Sequence, residues 1–165
     1  MSKRRDRRIQ YAALPYTIVD GAPQVMLITS RETKRWIIPK GWPEKKLKPH
    51  AVAEREAYEE AGVRGEIDPT PFIHFHYEKR LKRGRMVVCH VDVFLLRIVD
   101  TLDSWPEEKQ RERIWLPAEA AAERVSDKGL CAAFHTLAGH LQPTGAPAGA
   151  PAGAPAGANG DAAAS

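Results

Sequence analysis

The most informative stretch of the chain is Glu54-Arg55-Glu56-Ala57-Tyr58-Glu59-Glu60-Ala61-Gly62-Val63. A helix turns by about 100° per residue, so Glu56, Glu59 and Glu60 would share one sector of its surface. A neighbouring stripe holds only small side chains, namely Ala53, Ala57 and Ala61. The pattern predicts a helix that packs closely against a sheet and carries three carboxylates beside that contact.

Three carboxylates in one sector are costly for a helix. Each like-charged pair four residues apart destabilises it by about a few tenths of a kcal/mol, and the helix dipole disfavours anions near the C-terminal end. A hard divalent cation would convert this repulsion into binding, because Mg²⁺ and Mn²⁺ prefer carboxylate oxygens. A solvated acidic face is the alternative interpretation, and the flanking residues are needed to choose between the two.

The flanking residues define the ends of the helix and the loop before it. Pro49 suits a first helical turn and Gly62 suits the position just past the last turn, so the predicted helix runs from about Pro49 to Ala61. Gly41 stands 14 residues before Arg55.

Together these residues resemble the Nudix box, G-x5-E-x7-R-E-U-x-E-E-x-G-U, in which U is usually a bulky aliphatic residue. Seven of its nine specified positions match: Gly41, Arg55, Glu56, Glu59, Glu60, Gly62 and Val63. Two positions depart, because Leu47 occupies the place of the first glutamate and Ala57 is smaller than usual. In the family that first glutamate often pairs with the box arginine, so its replacement leaves Arg55 without its usual partner.

The resemblance extends over about residues 8–140. Scattered basic and aromatic segments are similar to the diphosphoinositol polyphosphate phosphohydrolase branch, whose members cleave inositol pyrophosphates and diadenosine polyphosphates. These segments are Ser30-Arg31, Arg35–Pro39, the loop Lys79–Arg85, Trp105 and Arg111–Trp115.

The resemblance implies roles for the acidic residues. Catalytic roles fall on Arg55, Glu59 and Glu60, and the metal ligands are Glu56, Glu59, Glu60 and a main-chain carbonyl near Lys40 or Gly41. The implied cofactor is Mg²⁺, with Mn²⁺ as a substitute. Nudix enzymes also use a glutamate from a later loop as the base, and the candidates for that role are Glu107, Glu108 and Glu112.

Cations suited to clamping phosphate recur along the chain. Arginine forks bind phosphate well, and the loop 79–85 holds five cations in seven residues, which fits a highly charged substrate. The predicted substrate-binding residues are Arg31, Arg35, Lys40, Arg83, Arg85, Arg111 and Arg113. A solvated surface cation is the alternative interpretation for each of them.

Length and charge distribution indicate one domain with two tails. Of the 165 residues, 1–8 hold five bases and one acid, while the last part of the chain repeats Gly, Ala and Pro. We therefore expect a basic arm over 1–8, a Nudix domain over 9–143 and a disordered tail over 144–165. The formal net charge of +4 equals that of the arm, so the global charge is no sign of a basic nucleic-acid-binding body.

Apolar runs predict the order of the secondary-structure elements. Strands are expected over 10–19, 24–30, 36–39, 71–78, 86–99 and 113–116, with one or two closing helices over 117–125 and 126–140. Hairpins rather than regular β-α-β units join them, which predicts an α/β (α+β) fold with a mixed sheet. The resemblance implies the α/β/α sandwich of the Nudix fold.

Composition excludes several classes of protein. The two cysteines, Cys89 and Cys131, cannot supply a disulfide framework. No apolar run reaches the roughly 18 residues that a membrane helix needs, and the N-terminus lacks the hydrophobic stretch of a signal peptide. We therefore expect a cytoplasmic protein that has no membrane partner.

These observations lead to one functional hypothesis and its alternatives. We expect metal-dependent hydrolysis of a phosphoanhydride bond in a small polyphosphorylated molecule, either a diadenosine polyphosphate or a diphosphoinositol polyphosphate. An ADP-sugar and an RNA 5′ end are alternative substrates. We expect no other nucleic-acid partner. A non-catalytic Nudix-fold module that binds a nucleotide or RNA is the alternative outside enzymes.

Two histidines on one predicted strand fall outside this scheme. His74 and His76 are two residues apart, so they share a face of the strand and could bind a metal ion. No third ligand is evident in the sequence, which favours a substrate contact or ordinary sheet packing.

Overall fold

The first two strands form a hairpin. The computed structural model describes residues 8–140, in which β1 (Arg8–Val19) and β2 (Ala22–Thr29) pair in antiparallel fashion. Asp20 and Gly21 both have positive φ, 51° and 80°, as a two-residue hairpin turn requires. The predicted hairpin is confirmed, with two residues in the turn instead of the four between the predicted strands 10–19 and 24–30.

Beyond this turn the two strands separate, and a short segment fills the gap between them. In this segment β3 (Trp36–Ile37) pairs with β2, and β4 (Lys40–Gly41) pairs with β1 opposite Tyr11 and Ala12. The Ala13 amide also donates a hydrogen bond of 3.0 Å to the Pro39 carbonyl. We call this arrangement, in which β3 and β4 lie between the separated ends of β1 and β2, the fork. It holds Lys40 and Gly41 at a defined place on the sheet.

The rest of the sheet is built around one long strand, β7 (Met86–Thr101). It runs parallel to β1 and antiparallel to both β5 (Val63–Ile67) and β6 (Ile73–Arg80). The last strand, β8 (Arg113–Pro117), is antiparallel to β2. Parallel and antiparallel pairs thus occur in one eight-stranded sheet, and the predicted mixed sheet is confirmed.

Helices cover both faces of this sheet. On one face lies α1 (Pro49–Glu56), which continues through a π-helical turn, Ala57–Ala61. On the other face lie α2 (Ala118–Arg124) and α3 (Lys128–His140). Two separate apolar clusters result, one around Phe94 beneath α1 and one around Phe134 beneath α3. The architecture is the predicted α/β/α sandwich.

The alanine stripe determines how close α1 lies to the sheet. Ala53, Ala57 and Ala61 are completely buried among Ala13, Met26 and other residues of the sheet. Helical structure over 49–61 is confirmed, but its last five residues form a π-helical turn in which the Gly62 amide reaches the Ala57 carbonyl. Such wide turns are frequent at functional sites.

Some element boundaries differ from the prediction. Strand β5 was missed because Val-Arg-Gly-Glu-Ile has only two apolar residues. Gly65 lies at a register shift opposite Ile98, where a Cβ would overlap the Arg97 carbonyl. Strand β6 begins and ends two residues later than predicted, and β2 begins at Ala22. The strand β1 begins at Arg8, inside the predicted arm.

The predicted tails lie mostly outside the described residues. The structure describes neither 1–7 nor 141–165, so the arm and the tail stay predictions. Within 8–140, every helix is too short or too polar to cross a membrane.

Candidate functional site

The Glu56 carboxylate lies directly over Gly41. A Cβ atom added to Gly41 would overlap the Glu56 side chain. Glycine is therefore required at this position of β4, because any side chain would push Glu56 away. The fork in the sheet and the last turn of α1 thus bring together the two most widely spaced parts of the predicted motif.

Glu60 is the most deeply buried of the acidic residues, with 8% of its surface exposed. Its Oε1 accepts a 3.1 Å hydrogen bond from the Lys40 amide, and its Oε2 accepts one of 2.9 Å from Arg111 Nη2. The carboxylate thereby links the C-terminal end of the α1 segment to the fork and to the loop before β8.

Arg55 has two carboxylate partners at the surface. Its Nη1 lies 2.9 Å from Glu44 Oε2, and its Nε lies 3.0 Å from Glu59 Oε1. The hydrogen bond to Glu59, followed by the charge of Glu44, raises the pKa of Arg55. Glu44 therefore supplies the partner that Leu47 cannot, from a position three residues earlier in the chain.

The loop between β7 and β8 adds a fourth carboxylate. The Glu107 amide donates a 3.0 Å hydrogen bond to the Glu59 carbonyl, which places the loop against the end of the α1 segment. Glu107 Oε1 accepts bonds from Arg111 Nε and Nη2 at 3.2 and 3.1 Å, and Arg111 Nη1 donates to the Thr29 carbonyl at 3.0 Å.

This contact distinguishes the three later-loop glutamates. Glu107 lies close enough to raise the pKa of both Glu56 and Glu60 by repulsion. Glu108 instead accepts a 2.9 Å hydrogen bond from the Ser104 hydroxyl, and the Glu112 side chain is exposed. Glu107 is the candidate that the fold brings to the acidic cluster.

Crowding of carboxylates changes their protonation. Burial raises the pKa of Glu56 to about 7, helped by the charges of Glu60, Glu59 and Glu107. Burial also raises the pKa of Glu60 to about 7, against the opposing effect of Arg111 and the Lys40 amide. Such shifts are expected where several acids share a partly desolvated site with too little positive charge.

The donor set suits a hard divalent cation. The Glu56 carboxylate lies over Gly41, and Glu60 accepts a hydrogen bond from the Lys40 amide. The charge of Glu59 acts on Glu56, and the Gly41 carbonyl oxygen is a ligand of the same kind. Within residues 8–140, no three ligand side chains converge tightly enough to hold a metal ion in this conformation. In this conformation Arg111 supplies the positive charge beside Glu60 and Glu107. The glutamates fit a hard divalent cation because they are oxygen ligands in a partly buried site.

Arg113 and Trp105 stabilise the end of the acidic segment. Arg113 Nη1 donates to the Ala61 carbonyl at 2.9 Å and Nη2 donates to the Leu102 carbonyl at 2.6 Å. Its guanidinium stacks on Trp105 at 3.9 Å, while Trp105 Nε1 donates to the Glu60 carbonyl at 3.1 Å. Carbonyls that a helix end leaves without partners are thus satisfied.

The remaining predicted cations occupy different surroundings. Arg31 and Arg35 are exposed between β2 and β3, where Arg35 Nε donates to Thr33 Oγ1 at 3.1 Å. Arg83 and Arg85 are exposed at the tip of the β6–β7 hairpin. Lys40 Nζ lies 5.4 Å from the centre of the Tyr77 ring, and burial lowers the pKa of Lys40.

Of the cations proposed to bind substrate, the fold therefore brings Arg111, Arg113 and Lys40 next to the acidic segment. The guanidinium donors of Arg111 and Arg113 are already used in contacts within the protein. A role in substrate binding stays a prediction for all seven predicted cations.

Sequence reasoning missed Glu44 as the partner of Arg55. The available signal was a glutamate three residues before the position where the motif expects one. The sequence also gives no basis for choosing Glu107 over Glu108, because the directions in which adjacent loop side chains point depend on the folded conformation of the loop.

The chain shares sequence and fold with known proteins. Nudix hydrolase 12, mitochondrial, from Arabidopsis thaliana is 31% identical over 103 residues, which cover 61% of this chain and 51% of the relative. Diphosphoinositol polyphosphate phosphohydrolase 3-alpha from Mus musculus is 33% identical over 101 residues, covering 59% of this chain and 57% of the relative. The chain therefore spans about half the length of the curated relatives it matches.

A solved structure shares the fold. The crystal structure of a C. elegans Ap4A hydrolase binary complex superposes with a TM-score of 0.61 at 18% identity, covering 81% of this chain and 97% of the other. The family described as NUDIX domain matches residues 10–134, which include the acidic segment, the fork and the loop that carries Glu107. The chain belongs to the NUDIX domain family.

Proposed function

We propose that this protein hydrolyses a phosphoanhydride bond in a small polyphosphorylated substrate, with Mg²⁺ as cofactor and Mn²⁺ as a substitute. The observation that carries the proposal is the gathering of Glu56 and Glu60 at β4, with Glu107 joined to Glu60 through Arg111. The pKa of Glu56 and that of Glu60 are both raised to about 7 there. A purely structural site would pair these carboxylates more completely.

The chain's own residues would hold the cation at one place. Glu56, Glu59 and Glu60 with the Gly41 carbonyl are the proposed ligands. When bound, the cation would supply a water of lowered pKa and would neutralise charge on the phosphates. Gly41 keeps the space beside Glu56 free of side chains, and the Lys40 amide orients Glu60.

Two carboxylates are candidates for receiving the proton from the attacking water. Glu59 is positioned by Arg55 Nε, and Glu107 is positioned by two donors of Arg111. A base must be held within reach of the proton that it takes, and both side chains are oriented in this way. Arg55 would act by fixing Glu59, with Glu44 holding its other end.

The proposed substrate is a diadenosine polyphosphate or a diphosphoinositol polyphosphate. The exposed cations of the β6–β7 hairpin support a polyanion, because fixed positive charge attracts and clamps phosphate groups. Lys79 Nζ lies 4.9 Å from the centre of the Trp42 ring, so the part of β6 beside the hairpin tip touches the segment next to Gly41. The names of the mouse relative and of the C. elegans structure mention these two substrate types.

A panel of substrates tests this proposal. Diadenosine polyphosphates, inositol pyrophosphates, ADP-ribose and 5′-triphosphate RNA would be incubated with the full chain and Mg²⁺ or Mn²⁺, and the products would be quantified. We expect turnover of one of the first two classes, lost on chelation. The Glu56→Gln and Glu60→Gln variants should lose turnover by about a hundredfold or more.

Glu54→Gln is the matched control, since Glu54 is an exposed glutamate of the same helix. Melting curves would show that each variant is folded. Equal turnover in wild type and in both folded glutamine variants would rule out catalysis by these glutamates. Turnover of ADP-ribose or RNA alone would retain the enzyme and replace the substrate class.

A second candidate function is a non-catalytic module that binds a nucleotide or RNA. One observation favours it: Arg111 already neutralises Glu60 through a buried contact of 2.9 Å and Glu107 through a partly buried contact of 3.1 Å. Such a module would bind a nucleotide equally well with and without Mg²⁺ and would turn over none of the panel. Calorimetric titration with the same compounds separates it from the enzyme.

A further inference from the structure

Four ligand-type side chains form a two-by-two array on β6 and β7. His76 lies opposite His90, and His74 lies opposite Asp92. Because positions two apart share a face of a strand, all four side chains project from the same side of the sheet. The third ligand that the sequence lacked beside His74 and His76 thus comes from the neighbouring strand.

Among the described residues, 8–140, no helix covers the part of the sheet on which the array lies. Phe94 follows Asp92 by two residues on the same face and contacts the His50 ring of the first helical turn at 6.4 Å. Beyond this turn the three histidines are exposed, and Asp92 is half-buried. Within residues 8–140, the one ring contact among these three imidazoles is between His76 and His90.

The spacing of the first pair suits a shared metal ion. The ring centroids of His76 and His90 are 5.8 Å apart. Two imidazoles that bind one tetrahedral zinc ion with Zn–N bonds of about 2.1 Å have centroids roughly 5 Å apart. A small rotation of exposed side chains therefore closes the pair. In the present conformation no three ligands within the described part of the chain, residues 8–140, converge on one point.

We infer that His76, His90 and His74 bind a transition-metal ion of the Zn²⁺ type on this face, with Asp92 as a fourth ligand or as a hydrogen-bond acceptor for an imidazole. Neutral imidazole suits Zn²⁺ and its neighbours, whereas carboxylate-rich sites suit Mg²⁺. A carboxylate beside metal-bound histidine is a common supporting group.

This site is distinct from the acidic cluster. Gly41, Tyr11, Asp92 and His74 occupy successive strands in one row of the sheet. At a strand spacing of about 4.8 Å, the row places the His74 backbone roughly 14 Å from Gly41. The two sites also differ in ligand type. Substitutions of the histidines therefore remove one site, and substitutions of the glutamates remove the other.

The bound ion would join the two strands of the hairpin that carries the basic loop. Cross-linking β6 to β7 by a ligand that binds only the folded state stabilises the protein. The proposal concerns stability and metal content, and it stands whether or not the acidic cluster is catalytic.

Co²⁺ is the probe, because its visible spectrum reports tetrahedral coordination. The full chain without an affinity tag, in excess Mg²⁺, would be titrated with Co²⁺ and then with Zn²⁺. We expect one equivalent of Co²⁺ with an intense tetrahedral spectrum, displaced by Zn²⁺, and a rise in melting temperature with Zn²⁺. His76→Asn and His90→Asn should each weaken binding by at least about tenfold.

His135→Asn is the matched control, since His135 is exposed on α3 away from the array. Binding should also survive Glu56→Gln, which alters only the acidic cluster. The absence of a tetrahedral spectrum, unchanged binding in both His76→Asn and His90→Asn, or loss of binding in Glu56→Gln would each overturn the inference.

Discussion

At the scale of single residues, Gly41 and Glu44 set the positions of the charged groups around α1. Gly41 leaves room for the Glu56 carboxylate, and Glu44 holds the outer end of Arg55 at 2.9 Å. Neither residue needs to react with a substrate. Each determines where a neighbouring side chain can lie, and each can be tested by a small change.

Gly41→Ala should reduce turnover strongly, because the added Cβ overlaps the Glu56 carboxylate and displaces it. We expect a loss of about a hundredfold in kcat/KM, measured with the substrate found in the panel. Gly139→Ala is the control, since a Cβ at Gly139 meets no atom within 4 Å. Full activity in Gly41→Ala would contradict the assigned position of Glu56.

Leu47→Glu should have little effect, because Glu44 already pairs with Arg55. Exposed ion pairs contribute about 0–1 kcal/mol, so we expect a change of at most a few degrees in melting temperature and no more than a severalfold change in turnover. Glu44→Gln should lower turnover more than Leu47→Glu does, and the double variant should recover part of that loss. A gain of several orders of magnitude in Leu47→Glu would show that Glu44 fails to replace the missing glutamate.

At the scale of elements, the β7–β8 loop and the end of the α1 segment stabilise each other. Gly62 has φ of 66°, and a Cβ there would overlap the Trp105 ring. Arg113 covers that ring and binds carbonyls of both elements. This packing holds Glu107 and Arg111 against the acidic residues.

Arg113→Met should destabilise the protein by about 2 kcal/mol, since it removes charged hydrogen bonds to two half-buried carbonyls. Chemical denaturation monitored by tryptophan fluorescence measures the loss. Arg97→Met is a matched control, because the contact of Arg97 with Glu66 is long, at 4.0 Å, and exposed. An equal effect of the two substitutions would mean that Arg113 does not anchor the loop.

Sequence predicted single elements better than their mutual positions. The box residues, the alanine stripe and the terminating Gly62 predicted the helix and its buried side, because helical periodicity is a local property. The pairing of the missed strand β5 and the selection of Glu107 depend on contacts with distant residues. The sequence also did not predict that Arg111 is buried, since no local pattern distinguishes a buried arginine from an exposed one.

At the scale of the whole molecule, the fold adds Glu44 and Glu107 to the three glutamates that the chain already places together. Burial raises the pKa of Glu56, and the charges of four neighbouring acids raise it further. These acids are Glu60, Glu59, Glu107 and Glu44. Among the cations predicted to bind substrate, Arg111 already pairs with Glu60, whereas Arg83 and Arg85 are exposed on the β6–β7 hairpin. The folded state therefore contains a local excess of negative charge in the absence of a cation.

The free energy of unfolding of the metal-free protein should fall as the pH rises from about 5 to 7.5. Glu56 and Glu60 each have a folded-state pKa of about 7 and an ordinary value of 4.5, so the folded state binds more protons than the unfolded state between these values. Melting temperatures in a chelator would show this slope. Glu56→Gln should flatten it, and a melting temperature that rises over this range would contradict the assignment.

The sequence by itself determined the family, the helix with its three glutamates and the order of most strands, because motif spacing and periodicity are carried by neighbouring residues. Only the tertiary structure decided that Glu44 pairs with Arg55, that Glu107 joins the acidic cluster, and that His90 faces His76. Each of these pairs depends on strand register, loop packing or helix docking. Those are properties of contacts between distant segments, which local sequence patterns do not specify.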